Sequence, residues 1–73
     1  MKRILTETKG ELTGRPYRVI RDQYGIGIDM LCDDGTWDES CEVFETVQAA
    51  LKFIADVDRA GHLEMMERRF NVQ

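Results

Sequence analysis

The spacing of the apolar residues changes once along the chain, at Thr46, and this change restricts the fold more than any other sequence feature. Before Thr46, apolar side chains recur at every second position, most clearly at Ile26, Ile28 and Met30. That period is typical of β-strands, whose successive side chains point to opposite faces of a sheet. After Thr46 they recur at every third or fourth position, which is the period of an α-helix. The sequence therefore predicts consecutive strands followed by helix.

Three or four strands are predicted, with short connections between them. They cover residues 3–9, 17–21, 26–32 and, for the fourth, 37–44 with an interruption near 38–40. Before the fourth strand, Asp34 and Gly35 predict a hairpin turn, because glycine accepts the positive φ that such turns require. Strands joined by short turns favour an antiparallel meander.

The helical part of the chain has predicted start and stop points. Thr46 is the predicted N-cap, because its hydroxyl can accept a hydrogen bond from the first helical turn. Gly61 is predicted to end the helix in the left-handed conformation. Beyond Gly61, apolar spacing up to Phe70 predicts a short second helix.

The apolar faces of these elements predict one core, in which Val19 and Ile28 of the sheet pack against Leu51 and Ile54 of the helix. The other face of the sheet is expected to be largely solvated unless a partner covers it. The predicted class is α+β, with a three- or four-stranded antiparallel meander, a helix packed on one face and a short second C-terminal helix. We expect a single small domain over 1–73, because a chain of this size buries only about 60% of its unfolded surface.

The composition points away from membranes and from catalysis. No apolar run approaches the roughly 20 residues of a transmembrane helix, and the N-terminus is not apolar enough for a signal peptide, so we expect a cytoplasmic protein. His62 is the only histidine, and with Cys32 and Cys41 it supplies too few ligands for a zinc site. No motif pairs a nucleophile with a base, so we predict no enzymatic activity, no metal and no cofactor.

Charge is distributed unevenly along the chain. Residues 1–21 hold six bases and two acids, residues 22–45 hold eight acids and no base, and the remainder is balanced. Two interpretations stay open. The basic and acidic strands can pair across the sheet, which stabilises it by a few tenths to about 1 kcal/mol per pair. Alternatively, the acids form a patch that a basic partner protein recognises.

Candidate binding residues follow from this layout. Those for a protein partner with a basic surface surround the predicted hairpin: Asp33, Asp34, Trp37, Asp38, Glu39 and Glu42. Trp37 is either an interface anchor or a cap on the edge of the core. The alternative candidates are the bases near the first two strands, which would contact nucleic-acid phosphates: Lys2, Arg3, Arg15, Arg18 and Arg21. Acidic neighbours would repel that backbone, and Arg18 and Arg21 face opposite sides of their strand.

The features together predict a small acidic, non-enzymatic protein-binding module that regulates or inhibits a partner by blocking its surface. A nucleic-acid-processing enzyme is one such partner, because an acidic surface can occupy a phosphate-binding groove. Phage and mobile-element inhibitors of host defence, including anti-CRISPR proteins, are analogous in size and charge alone. A small nucleic-acid-binding sheet is the alternative function. A homodimer is also predicted, because one small sheet is not expected to cover all the apolar helical residues: Ala49, Phe53, Ile54, Leu63, Met65, Met66 and Phe70. The alternative is a second helix that folds back and completes the monomer core.

Overall fold

The structure is a computed structural model that describes residues 2–71, with side chains described up to residue 67. Its elements are β1 (Arg3–Lys9), β2 (Pro16–Asp22), β3 (Gly25–Leu31), β4 (Trp37–Glu39) and α1 (Val47–Asn71). The four strands form one antiparallel sheet in the order β1-β2-β3-β4, and α1 packs on one face. The predicted α+β class is confirmed.

The core lies between α1 and one face of the sheet. It consists of buried apolar side chains from β2, β3 and the first half of α1: Tyr17, Val19, Ile26, Ile28, Ala50 and Ile54. The prediction for Val19, Ile28 and Ile54 is therefore confirmed. The prediction for Leu51 is wrong, because its side chain is 36% exposed. Leu51 follows the fully buried Ala50, and one residue rotates a helical position by about 100° away from the sheet.

Helix α1 begins as predicted but does not end at Gly61. The Ala49 amide donates to the Thr46 hydroxyl at 3.0 Å, which confirms the N-cap. Gly61 has no positive φ, and α1 continues through it to Asn71, so the predicted second helix is the second half of α1. Interior glycine costs a helix only about 1 kcal/mol, and Gly61 lies beside Thr13, where the helix packs on the β1–β2 loop. The side chain of Phe70 lies outside the described residues.

Strand β4 is shorter than predicted. It ends at Glu39, and the chain then bulges outward over 41–43 before Phe44 forms a single bridge with Ile26 of β3. The Phe44 amide donates to the Ile26 carbonyl at 2.8 Å, and Ser40 donates to Ile28 at 2.9 Å. The β3–β4 hairpin itself is present, with Gly35 at a φ of 87°.

The helix-free face of the sheet is not the largely solvated surface that the sequence predicts. Ile20 is 4% exposed and Asp29 is 1% exposed on this face. The bulge covers part of it, since a Cβ on Gly27 would lie 3.8 Å from the Glu42 carbonyl oxygen. Lys2 covers another part, because it precedes β1 yet its ammonium contacts Asp29 on β3. Among the described residues, no helix is long and apolar enough to cross a membrane.

Candidate binding surface

Five acidic candidates lie along the β4 side of the sheet, on β4 and on the loops before and after it. We call this set the acidic edge, and its members are Asp33, Asp34, Asp38, Glu39 and Glu42. All five residues are exposed. Within the described part of the chain, neither Asp38 nor Glu42 forms an ion pair, whereas Asp33 lies 3.6 Å from Arg15 and Glu39 lies 2.9 Å from Lys2.

The acidic edge is a strand edge and not a flat patch. Glu39 is paired with Asp29 and Trp37 with Leu31, so Glu39 and Trp37 point to the helix-free face. Asp38 is paired with Met30 and points to the helix side. The Thr36 carbonyl accepts from the Cys32 amide just after β3, and the Ser40 amide donates to the Ile28 carbonyl of β3. Because hydrogen-bonded pairs alternate along an antiparallel ladder, the backbone groups of residues 37 and 39 face outward.

The side chain of Asp34 stabilises the turn in which it lies. Oδ1 of Asp34 accepts hydrogen bonds from the Thr36 hydroxyl at 2.7 Å and from the Thr36 amide at 3.0 Å. The hydroxyl contact is the main cause that lowers the pKa of Asp34 below its ordinary value. Asp34 therefore contributes to the turn as well as to the charge of the acidic edge.

Trp37 already has a cation on its ring. The guanidinium carbon of Arg18 lies 3.7 Å from the ring centroid, a cation–π contact, and Arg18 Nε donates to Glu7 at 3.0 Å. Trp37 is half-buried in this stack on the helix-free face. Its position fits the cap on the sheet's edge better than an uncovered anchor.

The basic candidates do not form a common surface. Lys2, Arg15 and Arg18 are each engaged by a carboxylate of the same chain. Arg3 and Arg21 face each other across β1 and β2, on the side opposite Arg18. The pairing of the basic segment with the acidic one, one of the two open interpretations, thus accounts for Lys2 and Arg15, whereas Arg18 pairs with Glu7 inside the basic segment itself.

An acidic hollow opens on the helix-free face, beside the acidic edge. It has a volume of about 490 Å³ and lies between β2, β3 and the 41–43 bulge. Four carboxylate residues line it, with no lysine or arginine among the described residues that do so: Asp22, Asp29, Glu39 and Glu42. Gly25 and Gly27 contribute backbone without side chains, which keeps the hollow open.

Asp29 is the buried member of this hollow, and its two oxygens differ. Oδ2 lies 2.6 Å from the Lys2 ammonium, whereas Oδ1 is buried and accepts no hydrogen bond from any described residue. The hydrogen bond to Asp29 is the largest cause that raises the pKa of Lys2 above its ordinary value, followed by the hydrogen bond to Glu39. Asp29 alternates with the apolar Ile28 and Met30, so the strand pattern puts it on the face that was expected to be solvated, and its burial was not predicted.

A second buried aspartate, Asp58, was also missed. It accepts hydrogen bonds from the amides of Leu12 at 2.8 Å and Thr13 at 3.0 Å, and from the Thr13 hydroxyl. The hydroxyl is the main cause that lowers the pKa of Asp58. These bonds lock α1 to the β1–β2 loop, where Gly10 packs so closely that an added Cβ would lie 2.0 Å from Asp58 Oδ1. The spacing of Asp58 from Ile54, four residues on the inward stripe, was the sequence pattern that could have found it.

The remaining candidate groups are dispersed. Cys32 is half-buried and Cys41 is exposed, and both are free thiols. Among the residues with described side chains, no three His, Cys, Asp or Glu groups are close enough to hold a metal ion. Leu63, Met65 and Met66 are exposed on the second half of α1, and the homodimer stays a prediction.

Comparison with known proteins gives no family for this chain. No protein-family model matches it, and no curated protein or solved structure gives a match.

Proposed function

We propose that the chain is a non-enzymatic protein-binding module that applies its acidic edge to a basic surface of a partner and thereby regulates or inhibits that partner. The observation that carries this proposal is the concentration of exposed carboxylates on one strand edge, while three of the bases are paired within the chain. Such a charge distribution steers a basic partner and fixes its orientation.

The acidic edge also offers backbone hydrogen-bonding groups to a partner, in addition to its charge. The outward backbone groups at residues 37 and 39 can pair with an extended segment of the partner, which is the usual mode of strand addition. A nucleic-acid-processing enzyme is the partner class that we propose, because its phosphate-binding groove is basic and a row of carboxylates imitates phosphates in charge.

The test reverses the charge of the acidic edge without opening its turn. We would substitute Asp33, Asp38 and Glu42 by lysine and leave Asp34 intact, since Asp34 holds the turn through Thr36. A matched control reverses three exposed acids elsewhere: Glu11, Asp56 and Glu67. Each triple variant changes the net charge from −4 to +2, so only the location of the reversal differs.

Each variant would be immobilised and exposed to lysate of the native host, with captured proteins identified and their affinities measured at about 150 mM salt. We expect a basic protein that binds the wild type and the control variant but binds the edge variant at least about tenfold more weakly. Equal binding by the edge variant would contradict the proposal. Capture of nucleic acid instead of protein would favour the alternative function.

A further inference from the structure

We infer that the acidic hollow binds an arginine side chain of the basic partner, and that Asp29 Oδ1 accepts a hydrogen bond from its guanidinium. This inference rests on the proposed function and names the side chain that the surface recognises. Asp29 is the only described residue with a buried side-chain oxygen that has no hydrogen-bond partner. A buried polar atom without a partner is unfavourable, so its presence indicates that a water molecule or a ligand donates a hydrogen bond to it.

The neighbouring side chains do not supply the absent donor in this structure. Arg18 is the cross-strand neighbour of Asp29 on β2, but its Nε donates to Glu7 and its guanidinium lies over the Trp37 ring. Glu39 is the neighbour on β4, and it carries the same charge as Asp29. Like charges directly opposite each other destabilise a sheet, and a cation placed between them removes that repulsion.

Lys2 occupies part of this position. Its ammonium bridges Asp29 at 2.6 Å and Glu39 at 2.9 Å, and its side chain is 41% exposed. An ammonium is a single compact charge, whereas a guanidinium has five donors in a planar fork that matches carboxylates. Lys2 already pairs with the carboxylates of Asp29 and Glu39, so an incoming guanidinium competes with its ammonium, and the exposed Lys2 side chain can turn into water. Lys2 is therefore an internal competitor for the proposed ligand.

The shape of the hollow also fits an arginine side chain. Its side-chain-free floor at Gly25 and Gly27 leaves room for the guanidinium plane, and Tyr24 and Val43 at its boundary give the methylene stem apolar contact. Among the described side chains the carboxylates are too dispersed to hold a metal ion, which favours an extended organic cation.

The experiment uses the full chain and three synthetic nonapeptides that differ at one central residue: arginine, lysine or citrulline, in an otherwise neutral sequence. Citrulline has the shape of arginine without its charge. Backbone amide NMR shifts would be followed during titration. We expect the arginine peptide to shift the amides of Gly25, Gly27 and Asp29, the lysine peptide to bind several-fold more weakly, and the citrulline peptide to leave them unchanged.

Two pairs of variants make the assignment specific. Asp29→Asn should weaken arginine-peptide binding at least about tenfold, whereas Asp56→Asn, which removes the same charge at an exposed position of α1, should change it less than twofold. Lys2→Gln should strengthen binding several-fold because the competitor is gone. Lys9→Gln, an exposed lysine at the far end of β1, should not.

The inference is overturned if arginine and citrulline peptides behave alike up to millimolar concentration, if Asp29→Asn and Asp56→Asn have equal effects, or if Lys2→Gln weakens binding. Its failure is distinguishable from failure of the proposed function. If the natural partner is lost by the edge variant yet retained by Asp29→Asn, the acidic edge stands and the hollow does not. If the edge variant retains the partner, the proposed function itself is wrong.

Discussion

Two aspartates are buried, one on each side of the sheet, and they differ in how completely their oxygens are hydrogen-bonded. On the helix side, Asp58 has three hydrogen-bond donors, two of them backbone amides, and its carboxylate joins α1 to the β1–β2 loop. On the helix-free face, Asp29 has one exposed lysine on one oxygen and nothing described on the other. A fully satisfied carboxylate stabilises a fold, whereas a half-satisfied one detracts from stability. Asp58 therefore stabilises the fold, and Asp29 is the aspartate that we assign to binding.

The largest expected effect tests whether the helix side is the true core. Ile54→Ala should lower the free energy of unfolding by about 2–5 kcal/mol, because it removes a 4% exposed side chain and leaves a cavity. Leu51→Ala, at a 36% exposed position, should lower it by no more than about 1 kcal/mol. Urea titration measures both. Equal losses would mean that the inward face of α1 is misassigned.

The next effect tests the packing and hydrogen bonding of Asp58 against the β1–β2 loop. Gly10→Ala should destabilise the protein by about 1–3 kcal/mol, because the new methyl group would overlap the Asp58 carboxylate. Gly61→Ala is the matched control with the opposite sign. Its Cβ would meet Thr13 at an ordinary 3.8 Å, and alanine in a helix interior is favoured over glycine by about 1 kcal/mol. If thermal unfolding showed both variants stabilised, the packing of Gly10 against Asp58 would be refuted.

The dependence of stability on pH below neutrality tests the contribution of the Asp58 carboxylate. The pKa of Asp58 is lowered from its ordinary value of 3.8 by the Thr13 hydroxyl, so below neutrality the unfolded chain binds a proton first. Its contribution is therefore present above pH 3.8 and is lost as pH falls through the lower folded pKa. The difference in urea midpoint between wild type and Asp58→Asn should shrink along that range. Asp56→Asn, at an exposed helical position, is the matched control for the loss of one carboxylate.

The smallest effect concerns the contact between Arg18 and Trp37 on the helix-free face. Trp37→Leu should lower the free energy of unfolding by about 0.5–1 kcal/mol beyond any area effect, through loss of the Arg18 cation–π contact. A double-mutant cycle with Arg18→Gln measures that coupling. A coupling energy near zero would show that the stack does not contribute to this face in solution.

The elements of the fold were largely predictable because they depend on local rules. Alternation identified β3, the Asp34-Gly35 pair identified the hairpin, and Thr46 identified the start of α1. Gly61 was misjudged because the local preference of glycine for helix ends yields to packing against Thr13, a residue 48 positions earlier. Local propensity cannot contain such a contact.

The acidic edge was predictable in composition, and the hollow beside it was not. Runs of carboxylates around Trp37 are visible in the sequence, so their exposure on one strand edge follows from the hairpin. The burial of Asp29 depends on Lys2 reaching over from before β1 and on the 41–43 bulge folding over Gly27. Both are non-local contacts on a face that the alternation pattern marks as polar, and no spacing rule anticipates them.

Urea denaturation at pH 7 of two matched variants, Asp58→Asn and Asp29→Asn, tests the central assignment most directly. At position 58 the new amide would oppose a backbone N–H donor, so we predict a clear fall in the urea midpoint. At position 29 the variant loses the charge that pairs with Lys2, but its amide oxygen can still accept from the Lys2 ammonium and its NH2 can donate to Glu39, so we predict a much smaller fall. A fall for Asp29→Asn as large as that for Asp58→Asn would show that both aspartates are structural and would contradict the assignment of Asp29 to binding.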